Sequence, residues 1–284
     1  MIGSKELAVE KEAMGTMVEL TSAFEGIASA HIAQIREQVL QSQQFFADLW
    51  RIYSQLRVDG MFRFGRDAHG GSDVVNKELM ILVTSEGSFS GDIDQRLVAE
   101  VTKIYDAAKH DVLIIGHHGA MMLSQKGIPF IKSFKTPEHD LNINTSPIVV
   151  EVKKYKSTLV YYQRYNSLMS QSIESIHLSS VVTEMGNTVE AGKEVISEKN
   201  YIFEPNVYAV VGHLETSMMQ ISLSEVILES KLAQYASRFR AMSIAKERAK
   251  DTLGDVSLMY NRARRHEKDG RLMEVINGLR GSTE

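Results

Sequence analysis

The chain contains no cysteine. That excludes disulfides, thiolate-held zinc, cysteine-bound iron–sulfur clusters and thiol nucleophiles, and it fits a reducing compartment. No apolar run approaches about eighteen residues, so no segment reads as a membrane-spanning helix. The opening MIGSKELAVEKEAM is too acidic for a secretory signal or a transit peptide. An excess of one charge is lacking too. The 32 basic and 36 acidic side chains leave a net charge of −4, which gives no footprint of general nucleic-acid binding. Proline is scarce, and its placement is informative. All four prolines lie between Pro129 and Pro205, so the first 128 and last 79 residues have none. What is present is ordinary for a globular protein, with 43% apolar and 24% charged residues in a chain of 284. That length can bury a substantial core in one large domain or two small ones.

The proline-free ends carry long helical patterns. From Lys5 to about Arg57, apolar residues recur in steps of three and four through Leu7, Met14, Met17, Leu20, Phe24, Ile27, Ile35 and Val39. A continuous helix there would extend roughly 80 Å, too long for an ordinary globular helix. From about Glu215 to Gly278 a second stripe runs through Leu232, Tyr235, Phe239, Met242, Ala249, Leu253, Val256 and Tyr260. Two long apolar stripes at opposite ends of one chain most simply bury each other as an antiparallel coiled coil. Its core candidates are Leu20, Phe24 and Ile27 on one side and Phe239 and Met242 on the other. A compact helical bundle is the competing arrangement.

The middle reads differently. Glu78–Ser85 and Asp111–His117 are short β-rich runs, and Ile93–Lys109 between them has helical spacing. Strand, helix and strand of these lengths predict a crossover in a largely parallel sheet. Ile128–Phe134 and Ser157–Gln163 are further strand candidates. Ile148–Tyr155 is ambiguous, because its β-branched run follows a Ser146–Pro147 helix entrance. Glu184–Asn200 is polar and reads as a surface excursion. The expected domains are a helix over 1–60, an α/β domain over 61–210 and a second helix over 211–284.

Such a middle domain raises the question of nucleotide binding, and the motifs answer poorly. There is no G-x-G-x-x-G. Gly186…Gly192–Lys193 has five intervening residues, and Glu194 stands where a phosphate loop needs Ser or Thr. The turn Gly87-Ser88-Phe89-Ser90-Gly91 could receive an anion, but Glu86, Asp92 and Asp94 flank it. His117 and His118 read as the end of a strand, where neighbours point to opposite faces and cannot easily share a metal. No catalytic residue, metal set or cofactor site emerges. The cluster Arg262, Arg264, Arg265, Lys268 and Arg271 reads by itself as a solvated helix end.

Several runs together carry a family resemblance. They are Leu20-Thr21-Ser22-Ala23-Phe24 with Ile27-Ala28-Ser29-Ala30, Thr84-Ser85-Glu86-Gly87-Ser88-Phe89-Ser90-Gly91, Ile114-Ile115-Gly116-His117-His118-Gly119 and Tyr165-Asn166-Ser167-Leu168-Met169-Ser170-Gln171. Near the C-terminus come Tyr201-Ile202-Phe203-Glu204-Pro205, Glu229-Ser230-Lys231-Leu232-Ala233, Ala236-Ser237-Arg238-Phe239-Arg240-Ala241-Met242 and Tyr260-Asn261-Arg262-Ala263-Arg264. In that order, over nearly the whole chain, they resemble the gamma subunit of F-type ATP synthases, the central rotor shaft.

The resemblance implies a non-catalytic part: a long antiparallel coiled coil of the two terminal helices with an inserted Rossmann-like α/β domain. It implies a catalytic hexamer of alpha and beta subunits, an epsilon subunit and a proteolipid c-ring as partners. It also implies a peripheral place on the cytoplasmic side of a bacterial membrane. Arg264, Arg265, Thr21 and Ser22 become candidates for contact with the catalytic ring. The departures are specific. The family's basic first helix is here net −2 over residues 1–57, with five Lys/Arg and seven Asp/Glu. Its lysine after I-T is Ser22, and its polar pair at the tip keeps only the arginine. Two other classes stay open on the residues alone: a stand-alone α/β enzyme with helical dimerisation arms, and a coiled-coil scaffold.

Overall fold

A computed structural model describes residues 3–56, 75–87, 89–136, 143–178, 204 and 207–281. The elements are α1 (Ser4–Leu56), β1 (Val75–Val83), α2 (Ile93–Ile104), β2 (His110–Ile115), α3 (His117–Gln125), β3 (Lys132–Phe134), α4 (Ser146–Val152), β4 (Tyr155–Tyr165), β5 (Gln171–His177) and α5 (Val207–Gly281). Packing divides the chain into two compact units. One comprises Met1–Ala28 with Arg238–Glu284, the other Ser29–Ser237. These limits fall inside both long helices, whereas boundaries at 60 and 210 follow changes in composition. Glu184–Asn200 lies outside the described residues.

In the sheet unit the strand order is β3-β2-β1-β4-β5. The first four strands are parallel, and β5 pairs antiparallel with β4, Tyr162 facing Glu174. A parallel sheet is covered on both faces, so its strands are continuously apolar and not alternating. Leu79 to Val83 and Leu113 to Ile115 are fully buried for this reason. One face packs Leu79, Ile81, Val83 and Val160 against Ile148 and Val152 of α4 and Leu223, Val226 and Ile227 of α5. The other packs Met80, Leu82 and Ile114 against Leu97, Val98 and Val101 of α2 and Leu123 of α3. The ambiguous run after Ser146 is a helix with Pro147 in its first turn.

Two elements depart from expectation. Residues Gln171–His177, which carry no strong strand signal, form the edge strand β5. His117 and His118 open a helix and do not end a strand. Gly116 is the cause: its φ of +104° turns the chain out of β2 at once. A Cβ there would lie 2.1 Å from the Thr84 carbonyl oxygen, and one on Gly119 would lie 2.5 Å from Thr84 Oγ1. The glycines of this motif therefore serve close packing of α3 on β1.

In the other unit, α1 and α5 run antiparallel. Ser4 donates to Glu267 at 2.7 Å, Lys11 Nζ lies 5.5 Å from the Tyr260 ring centre, and Glu25 pairs with Lys246. Steps of seven and then fourteen along α1 are matched by the same steps back along α5. That is heptad register, the repeat of a left-handed coiled coil. The buried or half-buried line on α1 is Leu7, Lys11, Met14, Val18, Thr21, Glu25 and Ala28, and on α5 it is Phe239, Met242, Lys246, Ala249, Leu253, Val256, Tyr260 and Ala263.

Candidate functional site

Open α/β sheets take ligands outside the carboxyl ends of their parallel strands, and the strand order here reverses between β1 and β4. Along this edge of the sheet the chain's own groups occupy the polar positions. Along the first turn of α3, the His117 amide donates to Glu86 Oε2 at 3.3 Å, the His118 amide to the Ser85 carbonyl at 3.0 Å and the Gly119 amide to Thr84 Oγ1 at 3.1 Å. Glu86 also accepts from the Thr136 amide. These helix N-terminal donors, the usual cradle of a phosphate, are already satisfied by an internal carboxylate, a carbonyl and a hydroxyl.

Asp94, in the first turn of α2, is 1% exposed. Its carboxylate accepts from the Ser85 amide and hydroxyl, from Gln163 Nε2 at 2.9 Å, and lies 2.8 Å from His118 Nδ1. His118 therefore does have a carboxylate partner, 24 residues upstream and invisible to any local spacing rule. The order of contacts places Asp94 between Ser85 and His118. A serine nucleophile needs histidine in the middle, so this is no catalytic triad. Among the described residues, no group of three or more His, Cys, Asp or Glu could hold a metal ion.

Elsewhere in this unit, burial shifts several ionisable side chains. Burial pushes the Glu229 carboxyl up, opposed by the Arg164 guanidinium 3.5 Å away. Burial also pushes the Tyr162 phenol up. Tyr155 is raised to about 12 by burial and by its hydrogen bond to Asp111 at 3.0 Å.

The paired helices expose a surface of another kind. Leu20, Phe24 and Ile27 are 51%, 37% and 52% exposed, so they are not the coiled-coil core. The seam runs one position later, through Thr21, Glu25 and Ala28. One residue is about 100° of helix rotation, enough to turn the largest side chains from the seam to its flank. Alanine and threonine allow close helix approach, and the Lys246 ammonium beside Glu25 holds that carboxyl below its ordinary range. Met242 is buried and Phe239 half-buried.

Thr21 is 5% exposed, and its hydroxyl donates to the Met17 and Val18 carbonyls of its own helix. Its side chain therefore lies in the seam and does not face a partner. Ser22, Arg264 and Arg265 are exposed. Beyond Ala263 every described side chain of α5 through Gly278 is exposed, including the large apolar Leu272, Met273, Val275 and Ile276. No motif marks these four. Their signal is an apolar cluster lying past the last position that α1 can reach.

A family model described as ATP synthase matches residues 5–281. The chain belongs to the ATP synthase family. Among curated relatives, the ATP synthase gamma chain of Chlorobaculum parvum is 21% identical over 291 residues, covering 96% of this chain and 97% of that protein. That of Geotalea daltonii is 23% identical, with 92% of each chain covered. Among solved structures, a chain of the Euglena gracilis mitochondrial ATP synthase, from a structure of OSCP/F1/c-ring in rotational state 3, aligns with a TM-score of 0.67 at 13% identity. It covers 98% of this chain and 95% of its own. A chain from the central stalk/c-ring of the Tetrahymena thermophila mitochondrial ATP synthase gives a TM-score of 0.59 at 16% identity, covering 80% of this chain and 99% of its own. This family's fold joins long N- and C-terminal helices to a parallel-rich sheet, as observed here.

Proposed function

We propose that this chain is the rotor shaft of an F-type or F-like ATP synthase/ATPase, a non-catalytic subunit coupling rotation to ATP synthesis or hydrolysis and to ion translocation. The observation that carries the reading is the free end of α5. A helix with Leu272, Met273, Val275 and Ile276 exposed in the isolated chain needs an apolar surround, and a ring of catalytic subunits would supply it. The flank Leu20, Phe24 and Ile27 offers a second apolar contact line. Ser22, Arg264 and Arg265 supply polar contacts, with each arginine able to donate charge-assisted hydrogen bonds. Such contacts must form and break as the shaft turns, so mostly apolar surface suits the task better than fixed ion pairs.

In this role the partners are the alpha and beta subunits of the hexamer, the epsilon subunit and the proteolipid c-ring. The complex sits peripherally on the cytoplasmic side of a bacterial membrane. The working division remains a helix over 1–60, a sheet domain over 61–210 and a helix over 211–284. No helix among the described residues is long and apolar enough to cross a membrane.

The test is reconstitution with the alpha and beta subunits. The chain should assemble with the hexamer and support its ATPase, while the purified chain alone turns over no nucleotide. Nucleotide turnover by the chain alone, or failure to join the hexamer, would overturn the reading.

A further inference from the structure

A buried polar chain crosses the sheet unit from α2 to α5, and neither the fold nor the polar contacts at the strand ends require it to reach so far. Asp94, on α2, accepts from Gln163 Nε2, near the end of β4, at 2.9 Å. With its amide nitrogen committed to the carboxylate, Gln163 must turn its oxygen toward α5. There Oε1 accepts from Ser230 Oγ and from Gln234 Nε2 at 3.3 Å. Gln234 Nε2 also lies 3.0 Å from Ser230 Oγ. One helical turn on, Ser237 donates to the Ser90 carbonyl at 2.6 Å. Asp94 and Gln163 are 1% and 0% exposed, and Ser230, Gln234 and Ser237 at most 7%.

Around them, α5 packs on the sheet through the apolar Leu223, Val226 and Ile227, and Glu229 lies 3.5 Å from Arg164 at the half-exposed end of β4. Apolar contact is non-directional, so it resists separation of a helix from a sheet better than it resists rolling or sliding. Hydrogen bonds have angular preferences, and a buried donor that loses its acceptor finds no water to replace it. The polarity of this chain is fixed by Asp94: a carboxylate only accepts, so every later group has one permitted orientation.

We propose that Asp94 and Gln163 are positioning residues of torque transfer, clamping the Ser230–Ser237 segment of α5 against rotation about its own axis. The helix continues unbroken from this segment to Gly281, so a clamp here lets twist in the long helix load the sheet domain without slipping. This rests on the rotor reading above, and the experiment must separate the two.

The test uses the complete ATP synthase in sealed vesicles, measuring ATP hydrolysis without an ion gradient and ions pumped per ATP against one. The variants are Gln163→Leu and, on the helix side, the milder pair Ser230→Ala with Gln234→Leu. If Gln163→Leu does not fold, the milder pair tests the clamp in its place. We expect assembly and unloaded hydrolysis near wild type, with pumping per ATP under load reduced about fivefold, the factor in an equilibrium set by one buried hydrogen bond of ordinary strength.

Because the chain has no cysteine, a Gln163→Cys/Ser230→Cys pair can be bridged in the purified chain by a short bifunctional thiol reagent before it is assembled into the complex, which should restore pumping. Unchanged pumping in the folded variants, or an equal fall in hydrolysis and pumping that bridging does not reverse, would overturn the clamp. If the wild-type chain itself supports no ATP-driven pumping, the rotor reading fails, and the clamp fails with it.

Discussion

In the sheet unit the central-strand residues from Leu79 to Val83 are wholly buried, whereas in the paired helices Thr21 and Ala28 are buried and Leu20 and Ile27 are about half exposed. The same chain follows opposite rules in its two regions. A sheet covered on both faces buries whole runs of large apolar side chains along its central strands. A thin two-helix rod has one narrow seam, which here mixes Leu7, Met242 and Val256 with the small Thr21 and Ala28 and the Glu25–Lys246 pair, and it leaves Leu20 and Ile27 on the flank. The first region carries the larger buried apolar core, while the second leaves Leu20, Ile27 and Leu272 exposed. Each substitution below would break or sharpen that contrast.

The largest loss of stability is expected in the sheet. Ile81→Ala, at a fully buried central position, should cost about 3–4 kcal/mol, measured by urea unfolding of the isolated chain. Gly116→Ala comes next. It meets both a positive φ and the Thr84 carbonyl, and should cost about 2–3 kcal/mol in the same assay. On the rod, Leu7→Ala removes a seam residue and should cost about 2 kcal/mol.

Ile27→Ser, on the flank, should change the stability of the free chain by less than about 0.5 kcal/mol. It should nevertheless weaken assembly with the catalytic subunits, measured by co-purification. A destabilised free chain would instead return Ile27 to the core. The Arg264→Ala/Arg265→Ala double variant should likewise leave the fold within about 0.5 kcal/mol. Its effect should appear in the ATPase rate of the complex.

Glu25→Gln should have the smallest effect of the stability set, about 0.5–1 kcal/mol near neutral pH. The sign follows from the lowered carboxyl. A group whose folded value lies below its ordinary 4.5 contributes stability above that value and loses it as the pH falls through the folded one. Wild type and variant should therefore converge in acid, in thermal melts taken downward from pH 5.

Much of this was legible from residues alone, and the failures have physical causes. Both long helices and the apolar strands announce themselves by periodicity and β-branched content. The edge strand Gln171–His177 does not, because one half-covered edge demands little apolar content. Side-chain bulk alone puts the seam one position out of phase, at Leu20, Phe24 and Ile27. In this rod the buried groups at Thr21, Glu25 and Ala28 are recognised by heptad spacing and by partners on the other helix. The link from Asp94 to His118 and Gln163 was also out of reach, because it joins residues 24 and 69 positions apart. The motif around Gly116 was visible as a resemblance, but its reason, contact with Thr84, exists only in three dimensions.

The central claim is that this chain turns inside a ring of catalytic subunits. It is tested most directly by fixing the hexamer to a surface and attaching a bead to the chain's sheet unit. Lys109→Cys provides the attachment point, labelled before assembly, since that side chain is 76% exposed and this chain has no other cysteine. On adding ATP the bead should rotate continuously in one direction. A hexamer that hydrolyses ATP steadily while a firmly attached bead shows no directed rotation would contradict the account.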